Sequence, residues 1–285
     1  MSRLIVSADD FAYSEGVSRG ILHAAQDGIV TATGVLSNSP HFASHAKWLK
    51  GVSKLDVGVH LNLTFGTPVT EGMKATLRGL RQGRDDFCED KFWTAIAILS
   101  GKIPLRVIET EWDAQIRLCI DCRLPVQFLN SHEHLHALPS LFRLTRELAE
   151  RHSVAHVRIP HAEWMVPMST GSILRNVILQ TMAFRIPANV KENSPVLLGV
   201  ACSGKLNESY LFKRLAGLRP GKAYELMCHP GYFKPAEMTD KRLMAYHDWQ
   251  GELDALCSPA VIEFLHTRKI ELIGYRNLGN RGPIK

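Results

Sequence analysis

Short apolar runs of strand length recur along the chain and alternate with amphipathic stretches, and this alternation limits the fold more than any other feature. The runs are Leu4–Ser7, Thr31–Leu36, Val57–Leu63, Val126–Leu129, Ala155–Ile159, Val196–Val200, Tyr224–Cys228 and Leu272–Tyr275, and most are rich in Val, Ile and Leu. A strand that is apolar on both faces has to be covered on both, which is the condition of a mostly parallel sheet flanked by helices. The stretches between the runs supply those helices. Glu15–Asp27 reads as one, with Ser14 as its cap and Gly28 as its stop. Others are expected from Pro104 to about Cys122, from Pro139 to about Arg151, and over Glu237–Leu256. About seven or eight strand–helix units favour closure into a distorted (β/α) barrel over an open doubly wound sheet.

A barrel of this kind accommodates 285 residues as one unit, so residues 1–285 read as a single domain. The polar, glycine-containing region of about residues 65–90 is expected to be a long insertion over one end of the barrel, and Phe184–Ser194 another loop. With 45% hydrophobic and 22% charged residues the chain can bury a sizeable core, which excludes global disorder. No apolar run reaches the length of a membrane span, and Arg3 is followed by only a few apolar residues, unlike a secretion signal; a cytoplasmic protein is expected. The net charge of +6 is spread over the chain without a Lys/Arg block, so no nucleic-acid partner is expected. Cys119 and Cys122 form a C-x-x-C, but within RLCIDCRL and with no second pair, and read as structural.

Several apolar runs end in chemistry. LIVSA runs into Asp9 and Asp10, DVGV into His60, VQFLNS into His132 of SHEHLH, and YELMC into His229 of CHPG. In a parallel barrel the C-terminal strand ends open onto one face, where active sites are built. Two imidazoles and a carboxylate suit a divalent cation with positions left for water and substrate. That gives the Asp pair a purpose: one carboxylate binds the cation, and its neighbour stays ionised and accepts a proton from water. His132 is nearest the strand end and is the first choice of ligand. His136 is the alternative and is expected to line the pocket, and His134 reads as structural.

The pieces SADDF, GIVTATGVL, VGVHLNLT, NSHEHLHALP, VRIP and ELMCHPG, in this order and spacing, resemble the YdjC-like carbohydrate deacetylases, which include chitooligosaccharide deacetylases and hopanoid-associated members. The resemblance implies the distorted (β/α) barrel of polysaccharide deacetylases, one divalent metal ion (Mg2+ or Zn2+), and an N-acetylated sugar or glycolipid as substrate. It implies that Asp10, His60 and His132 bind the metal, that Asp9 is the base and that His229 is the acid. Members of the family are often homodimers. Arg158, in the VRIP piece, is expected to orient a sugar hydroxyl or to form a structural ion pair. The chain departs from the family in having Ala12 after SADDF, where Gly is usual, and Asn130 before Ser131, where Asp is frequent. The segment HAEWMVPMSTGSILRNV matches no family piece and is expected to shape substrate choice. Two other readings of the rim are a metal-dependent phosphoesterase and a non-catalytic sugar-binding protein.

Overall fold

The computed structural model describes residues 1–164, 176–177, 179–181, 186, 190, 194–237 and 241–279. Its eight strands are all parallel: β1 (Ser2–Phe11), β2 (Ala32–Val35), β3 (Asp56–Leu61), β4 (Val126–Ser131), β5 (His156–Val157), β6 (Val196–Leu198), β7 (Ala223–Cys228) and β8 (Ile270–Leu272). They lie in the order β5-β4-β3-β2-β1-β7-β6, with β8 set against β1. β8 pairs Ser2, Arg3 and Leu4, while β2 takes over from Ser7 onward. The helices are α1 (Glu15–Gln26), α2 (Phe42–Leu49), α3 (Glu71–Leu80), α4 (Lys91–Leu99), α5 (Leu105–Asp121), α6 (Pro139–Arg151), α7 (Glu208–Leu215), α8 (Lys241–Tyr246), α9 (Trp249–Leu256) and α10 (Pro259–Thr267). The alternation in the sequence thus yields the expected distorted (β/α) barrel, a curled parallel sheet wrapped by helices.

The two faces of β1 explain how the interior becomes polar. Leu4, Val6 and Ala8 belong to the main core with helical residues such as Ile21 and Trp112. Ile5 packs instead with Ala32, Phe128, Ile273 and Tyr275 in a second cluster on the inner face. Ser7 and Asp9 follow Ile5 at the two-residue period of a strand, so the inner face turns from apolar to polar towards the strand ends. Register then levels those ends. Ala8 pairs with Cys228, which sets Asp9 beside His229, and His60 pairs with Asn130.

The structure corrects three local expectations and adds one helix that the sequence reading did not place. β8 ends at Leu272, and Tyr275 lies in a one-turn 3-10 helix, Tyr275–Asn277. The region 65–90 is not a loop throughout: Thr70 accepts a hydrogen bond from the Met73 amide and starts α3, whose buried residues are only Met73 and Leu77. Residues 91–99 form α4, capped by Asp90. The single helix expected over Glu237–Leu256 is broken, with α8 ending at Tyr246 and α9 starting at Trp249. Most of the 184–194 loop and much of the unmatched segment 161–177 lie outside the described residues. All six cysteines are free and Cys119 is buried, in keeping with a structural C-x-x-C.

Candidate active site

Adjacent strand residues point to opposite faces, so Asp9 and Asp10 reach the same site only because the backbone turns between them. Asp10 has φ +69° and the β1–β2 register shifts between Ala8 and Phe11. Left-handed backbone in a non-glycine residue is costly and collects at functional sites. Ala12, where the family has Gly, takes φ +73° all the same. Its amide donates to Ser18 Oγ at 2.9 Å and its carbonyl accepts from Ser39 Oγ at 2.5 Å, which holds the turn.

Asp10 meets two imidazoles at one oxygen. Its Oδ1 lies 3.2 Å from His60 Nε2 and 2.8 Å from His132 Nδ1. The ligand atoms of Asp10, His60 and His132 all lie within 4.8 Å of one another, the one such group of three among the described residues. The donor set fits a divalent cation, and the tautomer of His60 supports that fit. Asn130 Nδ2 donates to Asp9 Oδ1 at 3.0 Å, so its Oδ1 is the atom that faces His60 Nδ1 at 2.7 Å and accepts its proton. With Nδ1 committed to Asn130, Nε2 is the nitrogen that His60 turns to the group, an outer-shell arrangement typical of metal-binding histidines. Asn130 at the departure position therefore bridges His60 of this group and the second carboxylate, Asp9. The bridge has room because Gly34 lies beside it: a Cβ there would fall 3.1 Å from His60 Nδ1 and 3.2 Å from Asn130 Oδ1.

Burial opposes ionisation of both carboxylates, and their partners outweigh it. His132 and His60 hold Asp10 well below the usual carboxylate range. Burial likewise disfavours a charged His132, but the adjacent Asp10 lifts its imidazole to about 9. In Asp9 the Arg158 guanidinium overrides burial and draws the carboxyl down to about 2. Arg158 Nη1 donates to Asp9 Oδ2 at 2.5 Å and Nη2 to Asp9 Oδ1 at 3.0 Å, while Nε donates to Glu225 Oε1 at 2.5 Å and Nη2 also to Ser7 Oγ at 3.0 Å.

These contacts give Arg158 the structural ion pair that was one of its two expected roles, and they correct the expectation for His136. Arg158 is 1% exposed, and its fork is taken by Asp9, Glu225 and Ser7, so it positions Asp9 and offers no surface to a sugar. His136 is fully buried. Its Nε2 donates to the Arg158 carbonyl at 3.1 Å, so its Nδ1 is the acceptor of the Ser131 hydroxyl at 2.6 Å. With both nitrogens committed it neither lines a pocket nor competes as a ligand, and burial pushes it down to about 3. His134, at φ +57°, has a buried Nδ1 with no hydrogen-bond partner among the described residues. Burial together with the Arg158 charge keeps its imidazole neutral. His229 is 8% exposed, and burial lowers its pKa as well. Its amide donates to Glu252 Oε2 at 2.5 Å. Glu225 escaped the sequence reading, although a carboxylate inside the apolar run AYELMC was the available signal.

Comparison with known proteins gives concordant findings. The family model described as YdjC-like protein matches residues 3–267. The chain is 28% identical to a carbohydrate deacetylase of Brevibacillus brevis, covering 97% of this chain and 100% of that protein. It is 32% identical to a carbohydrate deacetylase of Listeria monocytogenes serotype 4a, covering 97% and 100%. It is 30% identical to a chitooligosaccharide deacetylase of Klebsiella pneumoniae, covering 96% and 98%. A crystal structure described as a putative cellobiose-phosphate cleavage protein from Enterococcus faecalis V583 has the same fold, with a TM-score of 0.71 at 22% identity over 98% of this chain and 99% of that one.

Proposed function

The chain belongs to the YdjC-like family, and from that membership and the site geometry we propose that it is a metal-dependent carbohydrate deacetylase, a hydrolase that removes the acetyl group from an N-acetylated amino sugar. The observation that carries the reading is the pairing of a three-ligand group, Asp10, His60 and His132, with a second carboxylate on the adjacent residue that is not part of it. Binding alone needs no proton acceptor beside the ligand group, whereas hydrolysis of an amide does, and Asp9 stands there with acceptor capacity beyond its pair with Arg158. A two-metal phosphoesterase needs more ligands than this group supplies.

Asp10, His60 and His132 would hold the divalent ion, Mg2+ or Zn2+. When bound, such an ion supplies Lewis acidity, polarising the acetyl carbonyl and easing loss of a proton from water. Asp9, whose carboxyl the Arg158 guanidinium draws down to about 2 and so keeps ionised at neutral pH, accepts that proton. Its Oδ2 has one hydrogen bond, from Arg158, and keeps acceptor capacity. His229 gives a proton to the departing amine, which is otherwise a poor leaving group. The substrate is an N-acetylated sugar, free or carried on a lipid.

The test is acetate release from a panel of N-acetylated sugars, comprising chitobiose, nucleotide-linked and lipid-linked forms, by metal-defined protein and by its Asp9→Asn variant. Acetate from at least one class, lost in the variant while metal content is kept, is the expected result. Unchanged turnover in Asp9→Asn removes Asp9 as the base. Absence of acetate from every class, with metal bound, favours a binding protein.

A further inference from the structure

The ring of His229 has no hydrogen bond among the described residues, and its buried Nδ1 has no partner. A histidine that transfers a proton is normally oriented by a hydrogen bond to its far nitrogen. Here the ring is met by another ring instead. The imidazole of His247 meets that of His229 at 4.9 Å between centroids and 61° between planes. His247 is itself clamped, stacked on Trp249 at 5.0 Å and 22° and met edge-on by Tyr246 at 4.7 Å and 84°. Trp249 in turn lies nearly parallel to Phe233, at 6.2 Å and 12°.

The broken helix is what delivers His247 to this position. The sequence around it is helical in pattern, yet α8 ends at Tyr246 and α9 begins at Trp249. The Asp248 amide leaves the helical ladder to donate to the Gly204 carbonyl at 2.6 Å, and the Asp248 side chain accepts from the Gly251 amide at 3.0 Å to start α9. Gly204 has φ +81°, and a Cβ there would come within 2.8 Å of the Tyr246 carbonyl, so the loop that braces the break needs glycine. The Trp249 carbonyl accepts from the Gly231 amide at 3.0 Å, tying the start of α9 to the turn just after His229. A helix interrupted just ahead of a capped start, with the residue at the break seated against a candidate catalytic ring, is a local rule broken where function is concentrated.

We propose that His247 is a positioning residue for His229: its flat ring, fixed by the helix break and the Trp249 stack, holds the His229 imidazole in the orientation used towards the leaving amine. The inference rests on the reading of His229 as the acid. The contact is ring against ring with no hydrogen bond, so an aromatic ring without nitrogen serves in its place.

The experiment compares His247→Ala, His247→Leu and His247→Phe with the parent protein in two readouts. In acetate release, Ala and Leu should lower kcat by about 10- to 100-fold with little change in KM, since misplacing a catalytic group acts on the chemical step, and Phe should restore most of kcat. In proton–carbon spectra of the metal-free protein, the His229 ring signals should move or broaden in Ala and Leu and return close to their parent positions in Phe. The leucine variant fills the volume without a flat ring, so it carries the test if the alanine variant does not fold. Unchanged kcat and unchanged His229 signals in Ala and Leu overturn the proposal. So does a Phe variant as slow as Leu, which would assign the role to the His247 nitrogens. Absence of acetate from the parent protein refutes the deacetylase reading instead, and the spectra then still decide whether His247 orients His229.

Discussion

Arg158 grips Asp9 by both carboxylate oxygens, at 2.5 and 3.0 Å, in an interior where neither side chain is more than 2% exposed. The same guanidinium holds Glu225, so one cation separates two buried carboxylates. Removing one partner of a buried pair leaves an uncompensated charge, at a cost of about 3–5 kcal/mol. Arg158→Ala leaves two. It is expected to lose at least that much stability in urea unfolding, or to fail to fold. Arg158→Lys keeps the charge without the fork and should fold, with turnover reduced through a displaced Asp9. Parent-like stability in Arg158→Ala would show that the triad of charges is not what holds this interior.

Asn130 gives a second prediction. Its amide donates to Asp9 and accepts from His60, and only an amide does both. In Asn130→Asp the bond to His60 survives, but the 3.0 Å donor contact with Asp9 becomes an approach of two carboxylate oxygens. The metal-free variant is expected to be less stable by about 1–3 kcal/mol at neutral pH. The deficit should shrink as the pH falls, because one carboxyl of the new pair then takes a proton. Urea midpoints at pH 8 and pH 5 measure this, and a deficit that grows on acidification would refute it.

Much of this was legible before the structure, and the boundary is physical. Strand runs, helix caps and the parallel barrel follow from patterns with a fixed period, and the site residues from polar groups that end apolar runs. Contacts between distant elements have no such local signature. Arg158 reads on its own as a residue for a sugar hydroxyl as readily as for an ion pair, and only its seat between β1 and β7 shows that its charge is already spent on Asp9 and Glu225. The turn that brings Asp10 round is a register shift and a positive φ, which no residue type demanded; Ala12 even argues against the turn it adopts. The break at His247 was hidden because the flanking sequence is helical and the anchor, Gly204, lies far away in the chain.

The Asp10–His132 pair makes metal-free stability depend on pH. His132 has an ordinary pKa of 6.5 when unfolded and about 9 when folded beside Asp10. A group whose folded pKa is raised stabilises the fold fully below the unfolded value and loses that contribution as pH rises through the folded one. With chelator present, unfolding free energy should therefore fall between about pH 6.5 and pH 9, by roughly 3 kcal/mol if this pair acts alone. A divalent ion takes the place of the proton, so added Mg2+ or Zn2+ should remove most of that slope. Thermal melts across this range, with and without metal, check it; a flat chelated profile would mean that His132 is not charged against Asp10.

His132 and His136 separate the proposed ligand from the scaffold. His132→Ala removes a nitrogen from the three-ligand group and leaves a site 14% exposed at that side chain, where truncation is tolerated. It is expected to fold and to lose stoichiometric metal in equilibrium dialysis. His136→Ala opens a cavity in a fully buried position and strands both the Ser131 hydroxyl and the Arg158 carbonyl. It should cost about 2–4 kcal/mol of stability while any folded fraction still binds one metal ion per chain. The reverse pattern, metal kept without His132 and lost without His136, would transfer the ligand role to the third histidine of the stretch. That outcome would require the His136 ring to give up both of its hydrogen bonds.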